Sequence, residues 1–129
     1  MRAKQTLTRE SNVWVQVQRV IDGDTIKLED GQDVRLIGIN APETGRPGAA
    51  EATQFAKGKV EGKKVWLESD GNDTSIGERL RRYVWLQQPS SQPDENQIRR
   101  YMLNALLISN GFAKADGNNH RYAALFQQL

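Results

Sequence analysis

Apolar and polar positions alternate from the first valines onward. Val13, Val15 and Val17 are separated by polar residues or by Trp14 on the opposite face, the period of a half-buried strand. Asp22-Gly23 marks a turn, where glycine is expected to supply a positive φ, and residues 25–28 form the returning strand. Asp30-Gly31 marks a second turn, and the β-branched run at 34–39 is a third strand. Gly45 to Gly48, with Pro47, make a loop. Ala52, Phe55, Ala56 and Val60 fall at helical spacing within 51–60, and Gly62 ends that helix. Residues 65–67 and 79–86 give a fourth and a fifth strand, and 88–97, with its prolines and serines, a loop. Ile98, Met102, Leu103, Leu106 and Leu107 form one helical stripe capped by Gly111. A last helix is expected from His120 to the end of the chain at Leu129, where it stops abruptly, as a truncated helix would.

This order predicts an α+β, mainly β fold: an OB-like five-stranded Greek-key barrel with three helices packed on it. The 129 residues suffice for one domain with a real core. Residues 1–12 are expected to be a flexible leader and 13–129 the domain. Hydrophobic residues at 37% and charged residues at 26% suit a folded chain. No apolar run is long enough to span a membrane, and no signal peptide is visible in 1–12. The absence of cysteine excludes thiolate metal sites and disulfides. A net charge of +2 and a pI near 9.0 suit a polyanion partner without requiring one.

Candidate chemistry gathers between Asp22 and Glu43. Asp22 and Asp24 flank a turn glycine, and hairpin geometry brings Asp24 near Asn40. Together they offer oxygen ligands for a hard cation. Arg35 carries a planar guanidinium suited to phosphate, Arg79 offers a second, and Glu43 follows Pro42 in a loop. Taken singly, each has a plainer reading: a hairpin turn, a strand charge in water, a solvated carboxylate. The fixed distance between the two clusters is what favours a site.

Four segments carry a resemblance: Ile-Asp-Gly-Asp-Thr, Arg-Leu-Ile-Gly-Ile-Asn-Ala-Pro-Glu, Arg-Tyr-Val-Trp-Leu and Asn-Gly-Phe-Ala-Lys. In order and spacing they resemble the staphylococcal nuclease family over nearly the whole chain. The resemblance implies an OB-fold barrel with three helices and a calcium-dependent phosphodiesterase. That enzyme would act on single-stranded DNA and RNA as a monomer and leave 3′-phosphate ends. It implies Asp24, the residue at 40 and the Ala41 carbonyl as calcium ligands, with Asp22 acting through water. It implies Arg35 and Arg79 as phosphate clamps and Glu43 as general base. Members are often secreted or held at the cell surface.

The chain departs from the family pattern in places. Position 40 is Asn where an aspartate is usual, which keeps an oxygen but removes a charge. Glu78 stands where a glycine precedes the clamp arginine, so Arg81, two residues on and on the same strand face, is the alternative to Arg79. Ile76, Gly77, Gly117 and Asn119 occupy places where the family has lysine and tyrosines around a nucleotide, so terminal phosphate and base contacts should be weaker. Lys63, Lys64 and Arg81, with Lys57, Lys59, Arg99 and Arg100, are candidates to follow a polyanion backbone. His120 is expected to pack or cap rather than catalyse. Trp66, Tyr83 and Trp85 are expected to pack on the barrel. The rival function is a silent module that binds nucleic acid or protein.

Overall fold

The computed structural model describes residues 12–71 and 79–129. The leader expected at residues 1–12 lies almost wholly outside them, as do Ile76, Gly77 and Glu78. The elements run β1 (Val13–Asp22), β2 (Thr25–Leu28), β3 (Asp33–Leu36), β4 (Ile39–Asn40), α1 (Ala49–Val60), β5 (Lys64–Glu68), β6 (Arg79–Trp85), α2 (Glu95–Tyr101), α3 (Leu103–Ser109), β7 (Lys114–Ala115) and α4 (Ala123–Phe126). Five strands close a barrel in the order β1-β2-β3-β6-β5. All pairings within it are antiparallel except β3 with β6, which is parallel. This is the OB-fold. Val17, Ile26, Leu28, Val34, Leu36, Leu67, Leu80 and Val84 are buried at its centre.

Several boundaries differ from the pattern reading, each for a local reason. β1 runs five residues past Val17 because its register against β2 shifts between Val17 and Arg19 and again between Val20 and Asp22. Such bulges put Val17 and Val20, three apart, both inside, which a strict period of two hides. The third strand stops at Leu36. Gly38 takes φ +79, and Ile39–Asn40 leaves the barrel to pair with Lys114–Ala115. The helical stripe at 98–107 is two helices. Met102 is extended (φ −95, ψ 120) and bridges to Trp85, while Asp94 caps the first helix by accepting the Gln97 N–H at 2.8 Å. The last helix covers only Ala123–Phe126.

α1 presents Ala49, Ala52, Ala56 and Val60 inward, and its end is tied to β1 where Glu61 accepts the Val20 N–H at 2.9 Å. The turn at Asp22-Gly23-Asp24 is wedged against this helix. A methyl at Gly23 would come within 2.7 Å of the Ala41 Cβ and 2.8 Å of the Ala52 Cβ. Gly23 does not take a positive φ, so glycine is needed there for close approach and not for backbone freedom.

Candidate nuclease site

Asp24 stands at the head of β2 with 8% of its surface exposed. One carboxylate oxygen accepts the Ala41 backbone N–H at 2.9 Å and faces an Arg35 guanidinium nitrogen at 3.5 Å. The other accepts the Thr25 hydroxyl at 3.2 Å. Burial pushes its pKa above the usual carboxylate range, against the lowering effects of the Ala41 N–H and Arg35. Asp22 accepts the Asp24 N–H at 3.0 Å, an Asx-turn that keeps the two acids together at one hairpin end. The two clusters seen in the sequence therefore meet through Asp24, Ala41 and Arg35.

Arg35 pairs with Thr25 on β2 and Arg81 on β6, and lies on the outer face because Val34 and Leu36 point inward. One guanidinium nitrogen donates to its neighbour's carbonyl, Leu36 O, at 2.7 Å, and the half-buried side chain is held in place. Arg79 is the register partner of Asp33, two pairs further from the hairpin end, and is exposed. Arg79 and Arg81 share the outer face with Arg35, and Arg81 is its direct neighbour. Among the described residues neither Arg79 nor Arg81 has an ion-pair partner. Arg82, by contrast, is fully buried and donates to the Arg81 carbonyl at 2.8 Å.

Asn40 is exposed and opposes Lys114 in the small β4-β7 sheet. Asn40, Ala41 and Pro42 line one side of a cleft of about 290 Å³ whose other side is Gly111 to Lys114. Glu43 is exposed, and its carbonyl accepts the Arg46 N–H at 2.9 Å. Lys63 and Lys64 are exposed but sit elsewhere. Lys64 pairs with Gln16, six residues along β1 from Asp22, or about 20 Å of strand.

The oxygen donors fit a hard cation in kind: two carboxylates, the Asn40 amide oxygen and the Ala41 carbonyl. Among the described residues no three His, Asp or Glu side chains converge as a metal cluster, so the negative charge is limited to Asp22 and Asp24.

Pattern reading passed over three features. Thr25 fixes Asp24, but a hydroxyl beside an acid in a turn carries no distinctive signal. Lys114 reaches the site only through the β4-β7 pairing. A buried polar network flanks it on β6: the Tyr83 hydroxyl donates to Asp70 at 2.7 Å and meets His120 Nδ1 at 2.9 Å. Glu68 accepts from Trp85 at 2.8 Å, Tyr122 at 2.7 Å and Arg121. His120 and the aromatics thus pack as expected.

A sequence model described as "Staphylococcal nuclease homologue" matches residues 33–129. The chain belongs to the staphylococcal nuclease family. Within that family it is 37% identical over 123 residues to a thermonuclease of Staphylococcus intermedius, covering 87% of this chain and 66% of the relative. It is 34% identical over 133 residues to a thermonuclease of Staphylococcus hyicus, covering 95% of this chain and 72% of the relative. The chain therefore spans about two thirds of the curated relatives it matches. Among the described residues no helix is long and apolar enough to cross a membrane.

Proposed function

We propose that this staphylococcal nuclease family member is a calcium-dependent endonuclease that cleaves single-stranded DNA and RNA as a monomer and leaves 3′-phosphate ends. The observation that carries the reading is the meeting of Asp24, the Ala41 backbone and Arg35 at one end of the barrel. It sets an acid pair, an arginine and the loop bearing Glu43 around one surface.

Asp24, Asn40 and the Ala41 carbonyl would hold the cation, with Asp22 acting through water, and when bound it would supply Lewis-acid polarisation of a phosphoryl oxygen. Glu43 takes a proton from water, and the resulting hydroxide attacks phosphorus. Arg35 and Arg79 donate to the equatorial oxygens, where charge grows in the transition state. The P–O5′ bond breaks, the leaving oxygen takes a proton from solvent, and the phosphate stays on the 3′ side. Arg81 contacts the bound strand beside Arg35, and Lys63 and Lys64 meet its backbone further along.

A second reading, a module that binds nucleic acid without cutting it, has one observation in its favour: position 40 is Asn, and among the described residues no three acidic or histidine side chains converge. Digestion of a labelled single-stranded oligonucleotide with calcium, then with chelator, decides between them. Calcium-dependent fragments with 3′-phosphate ends support the enzyme. Retention of an intact oligonucleotide under every divalent cation tried establishes the binding module.

A further inference from the structure

A pair of tryptophans stands on the outer face of the barrel, at the end of β1 opposite Asp22. Trp14 on β1 and Trp66 on β5 are direct register partners, with ring centroids 5.6 Å apart and planes at 81°. Val65 and Leu67 are buried, so alternation puts Lys64 on the outer face with Trp66, and Gln16 on β1 opposite Lys64. Trp14 is 42% exposed, the one large hydrophobic side chain left so among the described residues. Trp66 also borders a pocket of about 250 Å³ shared with Asn12, Pro89, Ser90, Pro93 and Arg121. Lys63 and Lys64 are exposed and have no ion-pair partner among the described residues.

The chemistry around the pair selects its ligand. Two indoles rimmed by Asn12, Gln16, Lys64 and Arg121 are too small and too polar a surface for a protein partner, which needs a broad apolar patch. A nucleobase needs one ring face and its backbone needs cations, and this face offers both. Glu68, the carboxylate in the pocket, is taken up by Arg121, Trp85 and Tyr122. The exposed acid Glu29, whose N–H donates to the Gln16 carbonyl at 3.0 Å, bounds the face on its β2 side. The sheet connects this face to Arg35. Arg35 is level with Arg81, Trp85 is further along β6, and Trp66 and then Trp14 lie beside Trp85. Three strand spacings across and the rise from Arg81 to Trp85 put Trp14 about 20 Å from Arg35 along the sheet surface. That distance suits the several-nucleotide footprint of an OB-fold.

We propose that Trp14 and Trp66 form a stacking platform for a single-stranded polynucleotide, taking bases several nucleotides from the phosphate at Arg35 while Lys63 and Lys64 hold the backbone beside them. The proposal rests on the nuclease reading for its place on the substrate, and its binding test needs no cleavage. In chelator, the anisotropy of labelled oligothymidylates should show Trp14→Ala weakening a dodecamer by about tenfold and a trinucleotide by less than about twofold, since a short strand held at Arg35 does not reach the pair. Trp14→Phe, which keeps a ring, should recover most of the loss. If Trp14→Ala fails to fold, Lys64→Ala, at an exposed position, carries the same comparison of lengths. An unchanged dodecamer affinity, or an equal loss at both lengths, overturns the platform. So does a dimer that Trp14→Ala dissolves while dodecamer binding stays intact, which would give the face to a second copy of the chain. Digestion of a long single strand in calcium keeps the two ideas apart. Cleavage with equal kcat/KM in wild type and Trp14→Ala sinks the platform alone. Binding that depends on Trp14, with no cleavage under any divalent cation, sinks the nuclease reading alone.

Discussion

Asp24 accepts the backbone N–H of Ala41 across 17 residues of chain, and by that bond the hairpin bearing the acid pair is registered against the loop bearing Glu43. A carboxylate that also faces Arg35 and accepts the Thr25 hydroxyl has little freedom left. Asp24→Ala should abolish calcium-dependent cleavage and also lower stability by about 1–3 kcal/mol, because a buried N–H loses its acceptor. Activity assays and thermal melts check the two effects separately. Full stability with lost activity would mean that the Ala41 bond holds nothing in place.

Asn40→Asp should tighten calcium binding by about tenfold, since a carboxylate replaces a neutral oxygen at a hard-cation site. Calcium titrations of activity, or of tryptophan fluorescence, read this directly. An unchanged midpoint would place residue 40 away from the metal.

Arg35→Ala and Arg79→Ala should each lower kcat by about 10²–10³, the cost of removing one charge-stabilising donor at the transition state. Glu43→Gln should lower kcat by about 10²–10⁴ and leave oligonucleotide affinity nearly unchanged. Arg81→Ala should act mainly on KM. If instead Arg81→Ala collapses kcat while Arg79→Ala is mild, the clamp is the direct neighbour of Arg35, as the β3-β6 register makes geometrically possible.

Stability should fall in mild acid through His120. Burial is the main cause of its lowered pKa, opposed by the Asp70 charge. The Tyr83 hydroxyl donates to Asp70, so His120 Nδ1–H donates to Tyr83, and among the described residues its buried Nε2 has no partner. Folding therefore favours the neutral ring. The unfolded chain takes up a proton near pH 6.5, so stability drops as pH falls below about 6.5 and levels off beneath the folded pKa. Asp24 works the other way: its raised pKa makes the folded state hold a proton more readily, which adds stability as pH falls through it. Denaturant titrations from pH 8 to 5 should show a flatter acid limb for His120→Gln. An identical slope would assign the acid loss elsewhere.

Gly23→Ala should destabilise by about 1–3 kcal/mol through overpacking against Ala41 and Ala52 and should weaken calcium-dependent activity in parallel. Loss of stability without loss of activity would detach the helix packing from the site.

The five barrel strands, the first helix and the approach of Asp24 to the 40–43 loop were legible because they rest on alternation and turn residues, whereas the third strand was read through to Ile39 and the short β4 and β7 were not seen. The two β1 bulges were not, since a bulge inserts a residue that no composition rule marks. Nor was the break at Met102, where helix propensity favours continuation and the Trp85 bridge overrides it. The role of Gly23 was misread for a similar reason: a turn motif announces backbone freedom, while the crowding of Ala41 and Ala52 exists only in three dimensions. Asn40 and Ala41 were placed by motif, but the pairing of Asn40 with Lys114 depends on a two-residue sheet too short to leave a pattern.

The parallel β3-β6 pairing has a kinetic meaning. β1, β2 and β3 are joined by tight hairpins and can form a meander from local contacts, whereas β6 must return across α1 and β5 to close the barrel. Long-range closure is the slow step of such topologies. Arg79 and Arg81 reach Arg35 only through that step, so the acid pair can be assembled in a chain whose arginine face is still open. The same seam, once opened, would leave Arg35 beside Asp24 and carry Arg79 and Arg81 away from both.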